Sequence, residues 1–370
     1  MDNYSIILKI CRRSLAFAGV DMFDEYWRPN LWTIAVFTLL ITYPLSAIQY
    51  IRLYVDSLEV LAEAIALLIT VVDAFFGTVE LIVHREKWRN IMDEIHNSHR
   101  LFPSVEKVQR LFDDYSNLNV KYAKVFYVIY ASATLSYTIM AALLPDERKF
   151  NLPIATSIYS MNPEGYLFYP VNLTHQIMGM LVTQHILLAQ CCTLVTAVMS
   201  ACCRLDAVRL MLEDFNERIR GAKDSPQALE QSLNKIIEAH AHSKDFIRRI
   251  GKHFAIVYLF LFATCGGIVF MSLNVVSKNI FSSTGSHMAA AFGTIFLQCY
   301  FGNRLLIVNE NLYQAIYDIE WYKLSITGQK TFKFFLANAQ LPTQLNGVLM
   351  PLNLATFVSV IDQYNFRIFF

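Results

Sequence analysis

The sequence predicts an all-α membrane protein of seven transmembrane helices, N-terminus cytoplasmic and C-terminus extracellular, with a cytoplasmic layer of anchor helices. Three observations predict it. Of the 370 residues 55% are hydrophobic and only 16% charged, where a soluble domain carries roughly a quarter charged. The charges are gathered into blocks that leave long uncharged stretches at 31–51, 125–145, 165–203, 253–277, 279–303 and 334–361. Lys and Arg, finally, are sorted onto one side of those stretches. The mean hydropathy of +0.37 argues against a chain of soluble domains. The near balance of 31 basic and 30 acidic residues excludes a strongly basic nucleic-acid partner.

About 20 apolar residues at 1.5 Å per residue cross a hydrocarbon core of about 30 Å, so each uncharged stretch spans once. A further span at 60–83 carries Glu63, Asp73 and Glu80, yet reads AIALLITVV and AFFGTV between them. The approximate spans are then 31–51, 60–83, 125–145, 167–203, 253–277, 287–308 and 345–369. The fourth is one long helix, because no Gly/Pro/Asn cluster divides it after Asn172. A tight polar loop at 278–287 joins the fifth and sixth. The first 27 residues lack the apolar core and cleavage site of a secretory signal, which leaves the first span to direct insertion.

Orientation follows from the basic residues. The N-terminal segment and the loops at 84–118, 204–252 and 309–344 hold 23 Lys and Arg, whereas the alternate loops and the C-terminus hold five. The positive-inside rule places the crowded side in the cytoplasm, opposite to a G-protein-coupled receptor. Motifs agree. Asn162-Pro163-Glu164-Gly165-Tyr166 matches an NPxxY string but lies in a loop, and no Asp-Arg-Tyr ends the third span. Cys11, Cys191, Cys192, Cys202, Cys203, Cys265 and Cys299 all lie outside the proposed extracellular loops. Cys202 and Cys203 sit where palmitoylation could occur, although small buried residues explain them more simply. The sequon Asn172-Leu173-Thr174 falls on the outer side as a glycosylation candidate; Asn3-Tyr4-Ser5 falls in the cytoplasm.

No enzyme motif is present: no phosphate loop, HExxH, GxSxG or CxxC. His240 and His242 lack further ligands at metal spacing, so neither metal nor cofactor is expected, and His175 and His185 read as hydrogen-bonded groups inside the bundle. The cytoplasmic segments carry amphipathic periodicity. Leu205, Val208, Leu212, Phe215 and Ile219 recur at three and four residues, and Leu229, Leu233, Ile236 and His240 continue after the break at 221–226, which describes a helical hairpin. Val108, Phe112, Tyr115 and Tyr122 form another stripe running unbroken into the third span, and Leu312, Ile316 and Ile319 a further one. These anchor helices, at 105–122, 204–252 and 309–340, need one another or a neighbouring subunit to cover them.

The C-terminal third, LQCYFGNRLLIVNENLYQAIYDIEWYKL and then ANAQLPTQLNGVLMPLNLATFVSVIDQYNF, resembles the insect odorant receptor family. The resemblance rests on the ordered set Cys299 and Gly302, Ala315-Ile316-Tyr317 with Trp321, Gln340 with Pro342, and Thr356-Phe357-Val358-Ser359-Val360 leading to Tyr364. Asn365 and Asp73 depart from residues common there. The resemblance implies a subunit of an odorant-gated, non-selective cation channel in the plasma membrane of a sensory neuron dendrite. It also implies a heterotetramer with an odorant coreceptor, because the loop between the fourth and fifth spans is short, as in ligand-tuning subunits. A gustatory receptor subunit is the nearer alternative, a G-protein-coupled receptor the more remote. A transporter is disfavoured because no paired broken helices occur in corresponding halves.

In that family the ligand pocket lies in the outer half of the bundle among spans two, three, four and six. The corresponding residues here are Leu68, Ile69, Val72 and Asp73, then Tyr130, Thr134, Tyr137 and Met140, then Ile177, Met178 and Leu181, and Met288, Phe292 and Ile295. Asp73 costs about 2.5–3.5 kcal/mol near mid-membrane on insertion scales, so it should face a wet cavity, a partner side chain or a small volatile ligand. The family's pore is lined by the last helix, on which Phe357, Ile361, Tyr364 or Asn365, and Ile368 repeat on one face; apolar rings there would gate by dewetting, with Asp362 and Gln363 hydrating the open path.

Overall fold

A computed structural model describes residues 2–53, 58–103, 105–143, 169–221, 224–278, 283–340, 345, 351–359 and 362. Among them the regular structure is helical: α1 (Asp2–Phe17), α2 (Leu31–Leu53), α3 (Leu58–Val83), α4 (Arg85–His96), α5 (Glu106–Leu143), α6 (Tyr169–Gly221), α7 (Pro226–Lys278), α8 (Ser283–Tyr317) and α9 (Ile326–Ala339), with short 3-10 turns at Ser98–Leu101 and Trp321–Lys323. A final helical piece covers 354–359.

Helix length decides the architecture. The 53 residues each of α6 and α7 make rods of about 80 Å, more than twice the roughly 30 Å of a hydrocarbon core. The periodic segments after residue 203 and before 253 are therefore continuations of the membrane rods, turned back on each other between Gly221 and Pro226. Ser225 caps α7 by accepting from the Ala228 backbone N–H at 3.2 Å, with Pro226 in the first turn, where its missing donor costs nothing. In the same way α5 carries the 105–122 stripe unbroken into its apolar half, and α8 runs on to Tyr317. By length and hydropathy, α2, α3, α6, α7 and α8 can each cross a bilayer.

The bundle is built around α6. Residues 186–205 are buried without exception, the pattern of a helix enclosed on all sides, and α5, α7, α8, α1 and α3 all pack against it. The outer helices bear their apolar residues outward: Ile34, Ile41 and Leu45 of α2 and Val128 and Leu135 of α5 are exposed, as expected of surfaces that meet hydrocarbon. All seven cysteines are free and buried, which disfavours a lipid on Cys202 or Cys203. Asn172 is 1% exposed inside α6, which argues against use of its sequon.

Two helices were not placed from the sequence. In α4, Trp88, Ile91, Met92 and Ile95 are buried at the spacing of an amphipathic stripe. The other, α1, lies along α6, where Phe17 meets the His185 ring at 4.4 Å. It turns back at Gly19, whose φ of +81° suits a residue with no Cβ; Thr33 then donates to the Gly19 carbonyl at 2.6 Å. Asn30 and Thr33 cap α2 reciprocally, with Thr33 N–H to Asn30 Oδ1 at 3.0 Å and Asn30 N–H to Thr33 Oγ1 at 3.2 Å.

At the basic end, Arg204 is wholly buried, its guanidinium 3.8 Å from the Phe246 ring centre. It donates to Glu94 Oε1 at 2.9 Å and to the Glu94 carbonyl at 3.1 Å. Arg249 clamps the same carboxylate at 2.7 and 3.0 Å. Burial alone would push the Glu94 carboxyl up, but the hydrogen bonds and charges of Arg249 and Arg204 outweigh it and hold the group below its ordinary value. One glutamate thus ties α4 to α6 and α7.

Candidate ligand cavity

Away from the basic end the packing opens into a cavity of about 90 Å³, room for several waters or a small organic molecule. Six helices line it: Tyr43 from α2; Leu67, Thr70, Val71 and Asp73 from α3; Tyr130, Ala133, Thr134 and Tyr137 from α5; Met180, Thr183, Gln184 and Leu187 from α6; Leu261, Cys265 and Ile268 from α7; and His287, Ala290, Ala291 and Thr294 from α8. Small residues on α8 leave the space, and three tyrosines supply its aromatic walls.

Most of its hydroxyls already have partners. Thr70 donates to the Ala66 carbonyl at 2.9 Å, so its contact with His287 Nε2 at 3.0 Å must be donated by the imidazole. That fixes Nδ1 as the acceptor for the Tyr137 hydroxyl at 3.3 Å. By the same logic Thr294 donates to Ala290 at 2.9 Å and accepts from Tyr130 at 3.1 Å. Thr134 donates to Gln184 Oε1 at 2.7 Å. Asp73, 5% exposed, is the sole carboxylate among the lining residues, with the Thr264 hydroxyl beside it. The two other intramembrane histidines are held elsewhere, His175 by Thr42 at 3.1 Å and His185 by the Leu181 carbonyl at 2.8 Å.

Of the residues named from the sequence, Asp73, Tyr130, Thr134 and Tyr137 line this cavity; Leu68, Ile69, Val72, Ile177, Met178, Leu181, Met288, Phe292 and Ile295 do not. The side chain of Met140 lies outside the described residues. On α3 and α8 the lining differs from the expected residues by one position, about 100° of helix: Leu67 and Val71 face this cavity beside Leu68 and Val72, and His287, Ala291 and Thr294 beside Met288, Phe292 and Ile295. On α6 the lining begins one turn later. Helix α7 and Tyr43 were not expected at all. His287 was assigned to the 278–287 loop, but α8 begins at Ser283 and places it on a helical face.

Phe292 and Phe296 instead lie on the opposite side of α8, with ring centres 5.2 and 5.4 Å from that of Phe357. Two turns further along, a Cβ on Gly302 would come within 2.1 Å of the Leu352 carbonyl oxygen, so only glycine permits this approach. Helix α8 thus touches the cavity with one face and the 351–359 stretch with the other. Phe357 is half-buried here and Asp362 exposed; Ile361, Gln363, Tyr364, Asn365 and Ile368 lie outside the described residues.

The fold and cavity define a class: a multi-pass helical membrane protein with a small, partly open, tyrosine-walled cavity among its helices. The family model described as 7tm Odorant receptor matches residues 57–363, and the chain belongs to that odorant receptor family. Odorant receptor 22c of Drosophila melanogaster is 23% identical over 139 residues, 36% of this chain; the match spans only 32% of that relative's length. Over nearly its whole length the fold is that of the insect olfactory receptor OR5 from Machilis hrabei. At 15% identity the TM-score is 0.75, covering 96% of this chain and 94% of that one. For the same receptor in complex with eugenol it is 0.78, again at 15% identity, over 97% and 95%.

Proposed function

We propose that this chain is the ligand-tuning subunit of an odorant-gated cation channel of the plasma membrane, assembled as a heterotetramer with an odorant coreceptor. The observation that carries the reading is the two-faced α8, with His287, Ala291 and Thr294 in the cavity and Phe292, Phe296 and Gly302 against the 351–359 stretch. In this reading the chain crosses the membrane seven times with its N-terminus in the cytoplasm, the extended ends of α5 to α8 and α9 form the anchor layer, and the last helix lines the pore with Phe357, Ile361, Tyr364, Asn365 and Ile368. A volatile ligand occupying the cavity favours whichever arrangement of α8 it contacts better, and the gate follows because Phe357 rides on that helix. The solved OR5 complex with eugenol supports a small aromatic volatile as the kind of ligand to expect.

Recording current from cells expressing the chain with and without an odorant coreceptor, under a panel of volatiles, tests the proposal. A rapid cation current that needs both chains and no G protein is expected. Silence to every volatile with both chains at the surface would overturn it.

A further inference from the structure

The cavity holds one carboxyl group that no cationic side chain answers among the described residues. The hydroxyls of Thr70, Tyr130, Thr134, Tyr137 and Thr294 are engaged with side chains or carbonyls of the bundle. Asp73 is buried, and among the described residues no lysine, arginine or histidine forms an ion pair with it; no Lys or Arg lines the cavity at all.

A carboxyl group held this way in an apolar bundle costs several kcal/mol unless something offsets it. Structural pairing would be the usual explanation, but Thr264 supplies only a hydroxyl. The surroundings match a cation instead. Tyr43, Tyr130 and Tyr137 enclose the same space, and aromatic faces attract ammonium groups, the more so away from water.

Resting on the odorant-receptor reading above, we infer that the preferred ligands of this cavity are small volatile amines, the nitrogen seated against the Asp73 carboxyl and the hydrocarbon body against Leu67, Leu261 and Ile268. The amine takes the carboxyl proton, one O–H bond broken and one N–H bond formed, or enters already as ammonium opposite the carboxylate; either way the result is a hydrogen-bonded ion pair whose charges cancel in the interior. An alcohol of the same shape offers a single donor and no charge, and an ester offers no donor.

Matched pairs test this: phenethylamine against phenethyl alcohol, and isoamylamine against isoamyl alcohol, on the full chain co-expressed with an odorant coreceptor. The amine of each pair should be the more potent by about tenfold or more. Asp73→Asn should weaken the amines by roughly 100-fold, the scale of a buried ion pair that loses one partner, and leave the alcohols within a few-fold. Asp73→Glu should keep amines ahead of alcohols, which guards against a misfolded Asn variant. Alcohols matching amines on the unaltered chain, or Asp73→Asn weakening both alike, overturns the inference while leaving the odorant-receptor reading intact. Silence to all four probes and to a broad panel strikes that reading instead. Even then, a rise in melting temperature of the purified chain with phenethylamine, lost in Asp73→Asn, would support the amine site, and its absence would dismiss it.

Discussion

The two halves of the α6 bundle treat buried charge in opposite ways. At the basic end Arg204 is fully enclosed, yet Glu94 and Phe246 meet its guanidinium and Arg249 completes the cluster. In the cavity half Asp73 is nearly as buried and has a threonine hydroxyl but, among the described residues, no cation beside it. The first arrangement is closed and rigid; the second leaves space and an unanswered group. A receptor needs both, because a ligand can shift an equilibrium only through contacts the protein has not already made for itself, and the shift travels along the molecule only through a part that does not yield.

The largest effect that would sharpen this contrast is at Arg204. Arg204→Ala leaves a hole beneath Phe246 and removes one of the two cations that neutralise Glu94, which should cost about 3–5 kcal/mol of stability. The measurement is thermal unfolding of the purified chain with surface expression alongside. A loss under about 1 kcal/mol would mean that the basic end is not held as described.

Next comes pH. His240 is buried against the Phe335 ring, 5.2 Å centre to centre; burial first, and Lys244 second, pushes its imidazole down from 6.5 to about 4. Between those values the folded chain binds fewer protons than the unfolded one. The stability is therefore fully present above about pH 6.5 and is lost as pH falls toward 4, by on the order of 3 kcal/mol. Unfolding of the purified protein against pH should show the slope, and His240→Phe should flatten it. An unchanged slope would remove His240 from the closed half.

A smaller effect is expected where the halves meet the last stretch. Gly302→Ala sets a methyl against the Leu352 carbonyl and should cost about 1–3 kcal/mol through forced separation. Because the strain falls between α8 and the 351–359 stretch, ligand-evoked current should fall more than surface expression does. Equal losses of both would show a folding defect alone.

These sites show how far the sequence could be read. Five of the expected apolar stretches fall on described helices long and apolar enough to cross a bilayer, legible because hydropathy depends on composition along the chain, and the periodic face of the α6–α7 hairpin was legible because Leu205, Val208, Leu212, Phe215 and Ile219 keep one period across many turns. The cavity was only half legible. Facing is an angular property, and a one-residue error in register on α3 or α8 would rotate the choice by about 100°; Leu67 and Ala291 line the space one position from the expected Leu68 and Phe292. Asp73 escaped that error because its cost in hydrocarbon identifies it whatever the register. Helix α4 carried a readable stripe in Trp88, Ile91, Met92 and Ile95, hidden among charged neighbours; α7's role in the cavity had no signal, since Leu261, Cys265 and Ile268 look like any packed face.

The smallest effect discriminates best between the halves. Tyr137 donates to His287 Nδ1, and His287 in turn donates to Thr70, a chain that links α5, α8 and α3 across the cavity and holds nothing else together. Tyr137→Phe keeps the ring and its burial and removes one hydroxyl, with its donation to His287 and its hydrogen bond with Thr284, so stability should change by about 1–2 kcal/mol or less. The freed Nδ1 must then find water or ligand, and ligand potency should move by roughly three- to tenfold, the scale of one hydrogen bond. Leu68→Ala, one residue from Leu67 on α3 but outside the lining, should leave potency unchanged while lowering stability modestly. Dose–response curves for both variants, with surface levels matched, decide the matter. Should Leu68→Ala shift potency and Tyr137→Phe not, the ligand occupies a different face of α3, and the contrast between a closed and an answering half would have to be drawn elsewhere in the bundle.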